Sequence, residues 1–161
     1  ALRDRADACR LRRLSGLKLS LPGPTGEDNS LRFLPRGRVL CVADTMVGRI
    51  HQLLAALASG NRALLHDDDS ARALLSLLPH ALSAWVGLAE DTDVAVDAVL
   101  FDGSDLEADA WALRLAERDG PLLPLLRAEP DYDLARLVHE RTLSINTAAA
   151  GGNARLMAMG A

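Results

Sequence analysis

From position 38 onward, short apolar runs alternate with stretches in which apolar residues recur at helical spacing, and this alternation constrains the fold more than any other feature of the chain. The runs lie at 39–43, 63–65, 85–88, 98–101 and 122–126. A strand that is apolar throughout is buried on both faces, the environment of a parallel sheet covered by helices. Between the first two runs Met46, Ile50, Leu53, Leu54 and Leu57 share one helical face, with Asp44 or Thr45 as the start signal and Gly60 just past the end. A second helix places Ala71, Leu74, Leu75 and Leu78 on one face, capped by Asp68, Asp69 or Ser70 and stopped by Pro79. A third opens with Ser104 and Glu107 at capping-box spacing, turns Leu106, Ala110 and Leu113 inward and stops at Gly120 and Pro121. A shorter helix is expected from Asp131 or Asp133 to Glu140. Strands alternating with helices of this length need right-handed crossovers, so the expected class is α/β with a doubly wound, mainly parallel sheet.

The flanks follow other rules. Residues 1–19 carry Arg3, Arg5, Arg10, Arg12 and Arg13 among scattered leucines, which reads as a solvated or frayed terminus rather than a helix for an acidic partner. Two prolines and two glycines crowd LPGPTGEDN at 21–29, so that stretch reads as a linker or boundary loop. SLRFL at 30–34 alternates apolar and polar side chains and suits a half-exposed strand ending at Pro35 and Gly37. TLSIN at 142–146 is a strand, and the glycine pair in the following TAAAGGNARLM permits a sharp reversal into a second one, a projecting hairpin. The chain therefore divides into an N-terminal segment and linker (1–29), an α/β body (30–142) and a β-flap with C-terminal tail (143–161). At 161 residues, 49% hydrophobic and 25% charged, it can bury one core of ordinary size.

No catalytic, cofactor-binding or metal-ligating set emerges. A dinucleotide site needs glycines between the first strand and its helix, but ADTMVG offers only Gly48, inside the expected helix, and no Walker A sequence is present. Asp67 and Asp68 after one strand, with Asp102 after another, are similar to the acids of response-regulator receiver domains. That match fails at the lysine, since Lys18 precedes every expected sheet strand, and the acids at 67–69 read as helix caps. His51, His66, His80 and His139 lack metal-ligand spacing, His66 beside Asp67 being the nearest approach. Cys41 lies in an apolar strand, where a thiol is inert, and Cys9 lies in the opening segment. Ser15, Ser20 and Ser104 lack a nucleophile elbow. A net charge of -4 with 3% aromatics argues against a nucleic-acid partner. Two cysteines without a CxxC fit a reducing cytoplasm, and no apolar run approaches the roughly 20 residues of a membrane span.

Three stretches, LPGPTGEDN at 21–29, PRGRVLCVAD at 35–44 and LSINTAAAGGNARLM at 143–157, together resemble the C-terminal, aldehyde-dehydrogenase-like domain of the long forms of proline utilization A. The resemblance implies a Rossmann-like body plus a β-flap, with neither catalytic cysteine nor cofactor site. It implies a bifunctional parent in which an FAD-dependent proline dehydrogenase feeds an NAD-dependent glutamate semialdehyde dehydrogenase, both upstream of this domain. The flap would pack over the semialdehyde dehydrogenase domain of the same chain and help seal the tunnel that carries the intermediate. Its interface residues would be Ser144, Asn146, Thr147, Gly151, Gly152, Asn153, Leu156 and Met157. Arg155 departs from the family pattern, where a small polar residue is expected. A homo-oligomer and peripheral contact of the parent with the inner membrane are compatible with the resemblance. The competing expectations are an independent ligand-binding α/β module and a receiver-like phosphoacceptor.

Overall fold

Strand β3 (Arg38–Ala43) pairs in parallel with β4 (Arg62–His66) on one side and with β6 (Ala98–Asp102) on the other, so the apolar runs meet at the centre of a sheet. The computed structural model describes residues 2–89, 91 and 93–147. With β5 (Val86–Ala89) and β7 (Leu125–Arg127) added, the order is β5-β4-β3-β6-β7, all parallel. Side chains alternate across β3: Val39 and Cys41 enter one core and Leu40 enters the other. The first core holds α2 (Met46–Ala58) and α3 (Asp69–Leu77), the second holds α4 (Asp105–Ala116), and helices on both faces make the sheet doubly wound.

Helices α2, α3 and α4 each begin where their cap chemistry places them. Thr45 Oγ1 accepts the Gly48 N–H at 3.0 Å, Asp68 accepts the Ala71 N–H at 2.8 Å, and Ser104 and Glu107 close a full capping box. Gly60, at φ +79°, supplies the left-handed turn that ends the α2 region.

A second sheet is antiparallel, in the order β1 (Lys18–Leu21), β2 (Glu27–Pro35), β8 (Val138–Asn146). The prolines and glycines at 22–26 therefore form a hairpin connection rather than a linker, and the expected boundaries at 29/30 and 142/143 fall inside β2 and β8. The N-terminal segment is not frayed: α1 (Leu2–Arg12) packs on α2, and Cys9 is buried in the first core. Its anchor is electrostatic as well as apolar, because Arg5 donates to His51 Nδ1 at 2.7 Å and Arg12 donates to the Tyr132 carbonyl at 3.3 Å.

Three further expectations change. The helix foreseen from 131 or 133 to 140 is a single 3-10 turn, Leu134–Leu137, after which β8 starts at Val138 and gains nine paired positions on β2. The apolar run at 122–126 contributes only its end to β7, and Leu122 stands 87% exposed. The face of α4 is inverted: Leu106 and Leu113 are exposed, while Ala108 and Leu115 are buried. Ala108, Trp111 and Leu115 also recur at helical spacing, so the helix is apolar on two sides and periodicity could not choose between them.

Candidate docking surface

The antiparallel sheet follows from its sequence. Strands β2 and β8 are each nine residues long and carry too many polar side chains to be buried on both faces. Only Ser30, Phe33 and Val138 are buried, and the sheet stands on its own hydrogen-bonded register rather than within a core. Paired residues share a face. One face carries Leu19, Leu31 and Thr142 in one row, and Leu21, Asn29 and Ser144 in the next. The opposite face carries Leu34, Leu143 and Ile145, of which Leu143 is 46% and Ile145 47% exposed. Strand β8 pairs only with β2, leaving its outer edge open among the described residues.

Of the interface residues foreseen from sequence, Ser144 and Asn146 lie on β8, opposite Asn29 and Glu27. The Thr147 N–H donates to the Gly26 carbonyl at 2.7 Å, closing the register at the open end. Gly151, Gly152, Asn153, Leu156 and Met157 lie outside the described residues, as do Arg155 and the second strand of the foreseen hairpin.

The place where open α/β sheets receive ligands is the crevice beyond the carboxyl ends of the two strands at which the winding reverses. Here those strands are β3 and β6. Gly48, in the first turn of α2, has no Cβ, and one built there would overlap the Asp102 carboxylate and crowd Ala43. Asp102 thus brings its own negative charge to the helix start at which a phosphate would otherwise sit. By sequence alone Gly48 is an ordinary helical residue; the signal of its role is a glycine in the first turn of a helix after a buried strand.

The acids at 67 and 68 are committed elsewhere. Asp68 caps α3 and pairs with Arg49, whose side chain is buried, while Asp67 meets Arg72 Nε at 2.9 Å. Burial alone would raise the Asp68 carboxyl, but the Ala71 amide and the Arg49 guanidinium outweigh it and hold it below its ordinary value. Lys18 lies on β1, in the other sheet. Among the described residues no three His, Cys, Asp or Glu side chains gather to hold a metal ion. Cys41 is fully buried in β3, and burial pushes its thiol up to about 12, which removes it as a nucleophile near neutral pH. Cys9 is raised too, first by burial and then by the nearby Asp131 carboxylate.

A polar group that sequence reading missed ties the helices to the 131–132 loop. Gln52 Nε2 donates to the Val42 carbonyl at 2.8 Å and to Tyr132 Oη at 3.0 Å, and Tyr132 Oη donates to the Phe101 carbonyl at 3.3 Å. Burial pushes the Tyr132 phenol up to about 12, against the Gln52 bond. His51 accepts from Arg5 at Nδ1, so Nε2 carries the proton and faces Asp131 at 3.2 Å. Burial and then Arg5 hold its pKa below the ordinary value, with Asp131 opposing.

Comparison with known proteins adds relatives. In an alignment of 152 residues that covers 91% of the chain, the sequence is 43% identical to the bifunctional protein PutA of Escherichia coli K12. The chain is homologous to part of PutA. It spans about 12% of the length of that relative. A crystal structure of a proline utilization A (PutA) variant from Bradyrhizobium japonicum superposes on 78% of the chain and 15% of its own, with a TM-score of 0.63 and 26% identity. The substrate-bound AldH of Staphylococcus aureus covers 78% of the chain and 30% of its own at a TM-score of 0.55 and 18% identity, a likeness of fold alone. No protein-family model matches the chain. Most of the chain thus shares its fold with part of a PutA and with part of the AldH structure.

Proposed function

We propose that the chain is a noncatalytic structural domain of a bifunctional PutA. In that reading the β1-β2-β8 sheet and the tail beyond it cover the glutamate semialdehyde dehydrogenase domain of the same polypeptide and help seal the tunnel for the intermediate. The observation that carries it is the sheet itself: it is largely solvent-exposed on both faces, bears aliphatic side chains at Leu19, Leu34, Leu143 and Ile145, and ends, among the described residues, in the open edge of β8. A lone three-stranded sheet of this kind is a pairing hazard unless something covers it. Ser144, Asn146 and Thr147, followed by Gly151, Gly152, Asn153, Leu156 and Met157, are the proposed contact residues.

Two observations support the noncatalytic half of the reading. The thiol of Cys41 is buried and raised, and the Asp102 carboxylate stands at the helix start that would have to bind a pyrophosphate. FAD and NAD then belong to the parent's other domains, which carry out proline and semialdehyde oxidation. Self-association and peripheral contact with the inner membrane are properties of that parent, and the cytoplasm is its proposed compartment.

The test is deletion of residues 146–161 from the full-length parent. The expected result is a longer lag in NADH production from proline and more intermediate trapped in solution, or a slower semialdehyde dehydrogenase, with proline dehydrogenase unchanged. A deletion that leaves lag, trapping and dehydrogenase rate as in the intact enzyme refutes the covering role.

A further inference from the structure

On one face of the antiparallel sheet the register sets Lys18, Arg32 and Arg141 directly opposite one another, one from each strand. Neighbouring strands are about 4.8 Å apart, so three cations lie in a row about 10 Å long. All three are exposed, and none has a hydrogen-bonded or ion-paired partner among the described residues. Asp28 is the one acid on that face, four positions along β2 and about 13 Å away. The chain as a whole is acidic, at net -4, so the row stands against its overall charge.

Like charges directly opposite on a sheet are destabilising. Charged side chains on edge strands serve to block unwanted pairing, which would account for Lys18 on β1 and Arg141 on β8. It does not account for Arg32, because β2 is the central strand and has no free edge. The arrangement is costly to the isolated sheet and becomes favourable when carboxylates face it.

We infer that this cationic row docks on a carboxylate-rich surface elsewhere in the same polypeptide. The inference rests on the covering role proposed above and adds which face of the sheet makes contact and with what chemistry. Magnitude selects a partner in cis. Each exposed ion pair shifts an equilibrium by less than about fivefold, so three give at most about a hundredfold, too little to hold a separate molecule. Tethering at a millimolar effective concentration, helped by Leu34, Leu143 and Ile145 on the same face, brings such contacts into range. Anionic membranes are held by clusters of four to eight cations, more than this row supplies.

In the full-length parent, the K18Q/R32Q/R141Q variant is compared with the intact protein and with R10Q/R13Q, which removes two exposed cations, one on α1 and one just after it. Hydrogen exchange is followed over residues 138–147. Protection there is expected to fall about tenfold in the triple variant, and in the intact protein to fall on going from about 50 mM to 0.5 M salt, where the Debye length is only a few ångströms. R10Q/R13Q should behave as the intact protein, and R32K/R141K should retain protection. Unchanged protection and salt response in the triple variant overturn the inference; the covering role would then stand or fall separately by the deletion assay. Protection that disappears on dilution, with a dimer seen by light scattering becoming a monomer, would make the occupant a second copy and also overturn it. So would protection that depends on added phosphatidylglycerol vesicles.

Discussion

Replacing Leu115 by alanine in the 161-residue chain tests which side of α4 holds the second core. Leu115 is 6% exposed and packs with Leu40, Ala89, Val96 and Val99. Leu→Ala removes three carbons, and at about 0.8 kcal/mol for each buried group the transfer loss alone is about 2.4 kcal/mol. The space left behind adds about 24 cal/mol per Å³ to the extent that the sheet and helix fail to close on it, so the total falls between about 2.5 and 5 kcal/mol. Leu113, two residues earlier and 67% exposed, is the internal control. Its removal leaves no cavity and should cost less than about 1 kcal/mol. Urea denaturation of both variants, followed by far-UV circular dichroism with a common m-value, measures the two costs on one scale. If Leu113→Ala proves the more damaging, α4 is rotated by roughly half a turn from its described position and the reasoning fails.

Other outcomes follow from single contacts. Ser104→Ala breaks the capping box and should cost about 1 kcal/mol, read by the same denaturation, with Ser104→Asp retaining most of the stability. His51 is held neutral in the fold, so its contribution is present above its unfolded value near 6.5 and is lost as pH falls from there through its lowered folded value; His51→Gln should flatten the loss of stability that begins as pH falls below about 6.5. At lower pH the carboxylates Asp68 and Glu107, both depressed, bring a further loss that His51→Gln leaves in place. Gly48→Ala should destabilise the chain in the presence of Asp102, and Asp102→Ala should remove most of that penalty; additive effects in the double variant would show that the two do not meet.

Much of the body was legible because its signals are local. Thr45, Asp68 and Ser104 mark helix starts through a side-chain oxygen that reaches only three residues along the chain, and all three cap as expected. Runs such as 39–43 and 98–101 are apolar on both faces because a central parallel strand is buried on both. What sequence concealed depends on distant partners. Arg5 and Arg12 of α1 look like part of a solvated tail until Asp131 and Tyr132, more than a hundred positions away, supply acceptors. Nothing local says that residues 138–141 extend as a strand, since β2 dictates it through pairing. At the docking surface, LSIN reads as a strand by itself, but the charge row appears only once Lys18, Arg32 and Arg141 are brought into register.

The pairing of β2 with β8 also orders the events of synthesis. Residues 38–127 hold every strand of the parallel sheet, so that sheet can close from contiguous chain. The antiparallel sheet cannot: β1 and β2 emerge before it, yet β2 must wait for β8 to leave the ribosome before its second edge is filled. A hairpin of two strands is marginal alone. The N-terminal arm therefore stays an unfinished template while the body forms, and closing the chain on itself through sequence-distant contacts is its slow step. Any stall or truncation between 127 and 146 leaves a body that can close beside a sticky β2 edge, which makes the last stretch of β8 the point at which the central strand β2 stops being an aggregation hazard.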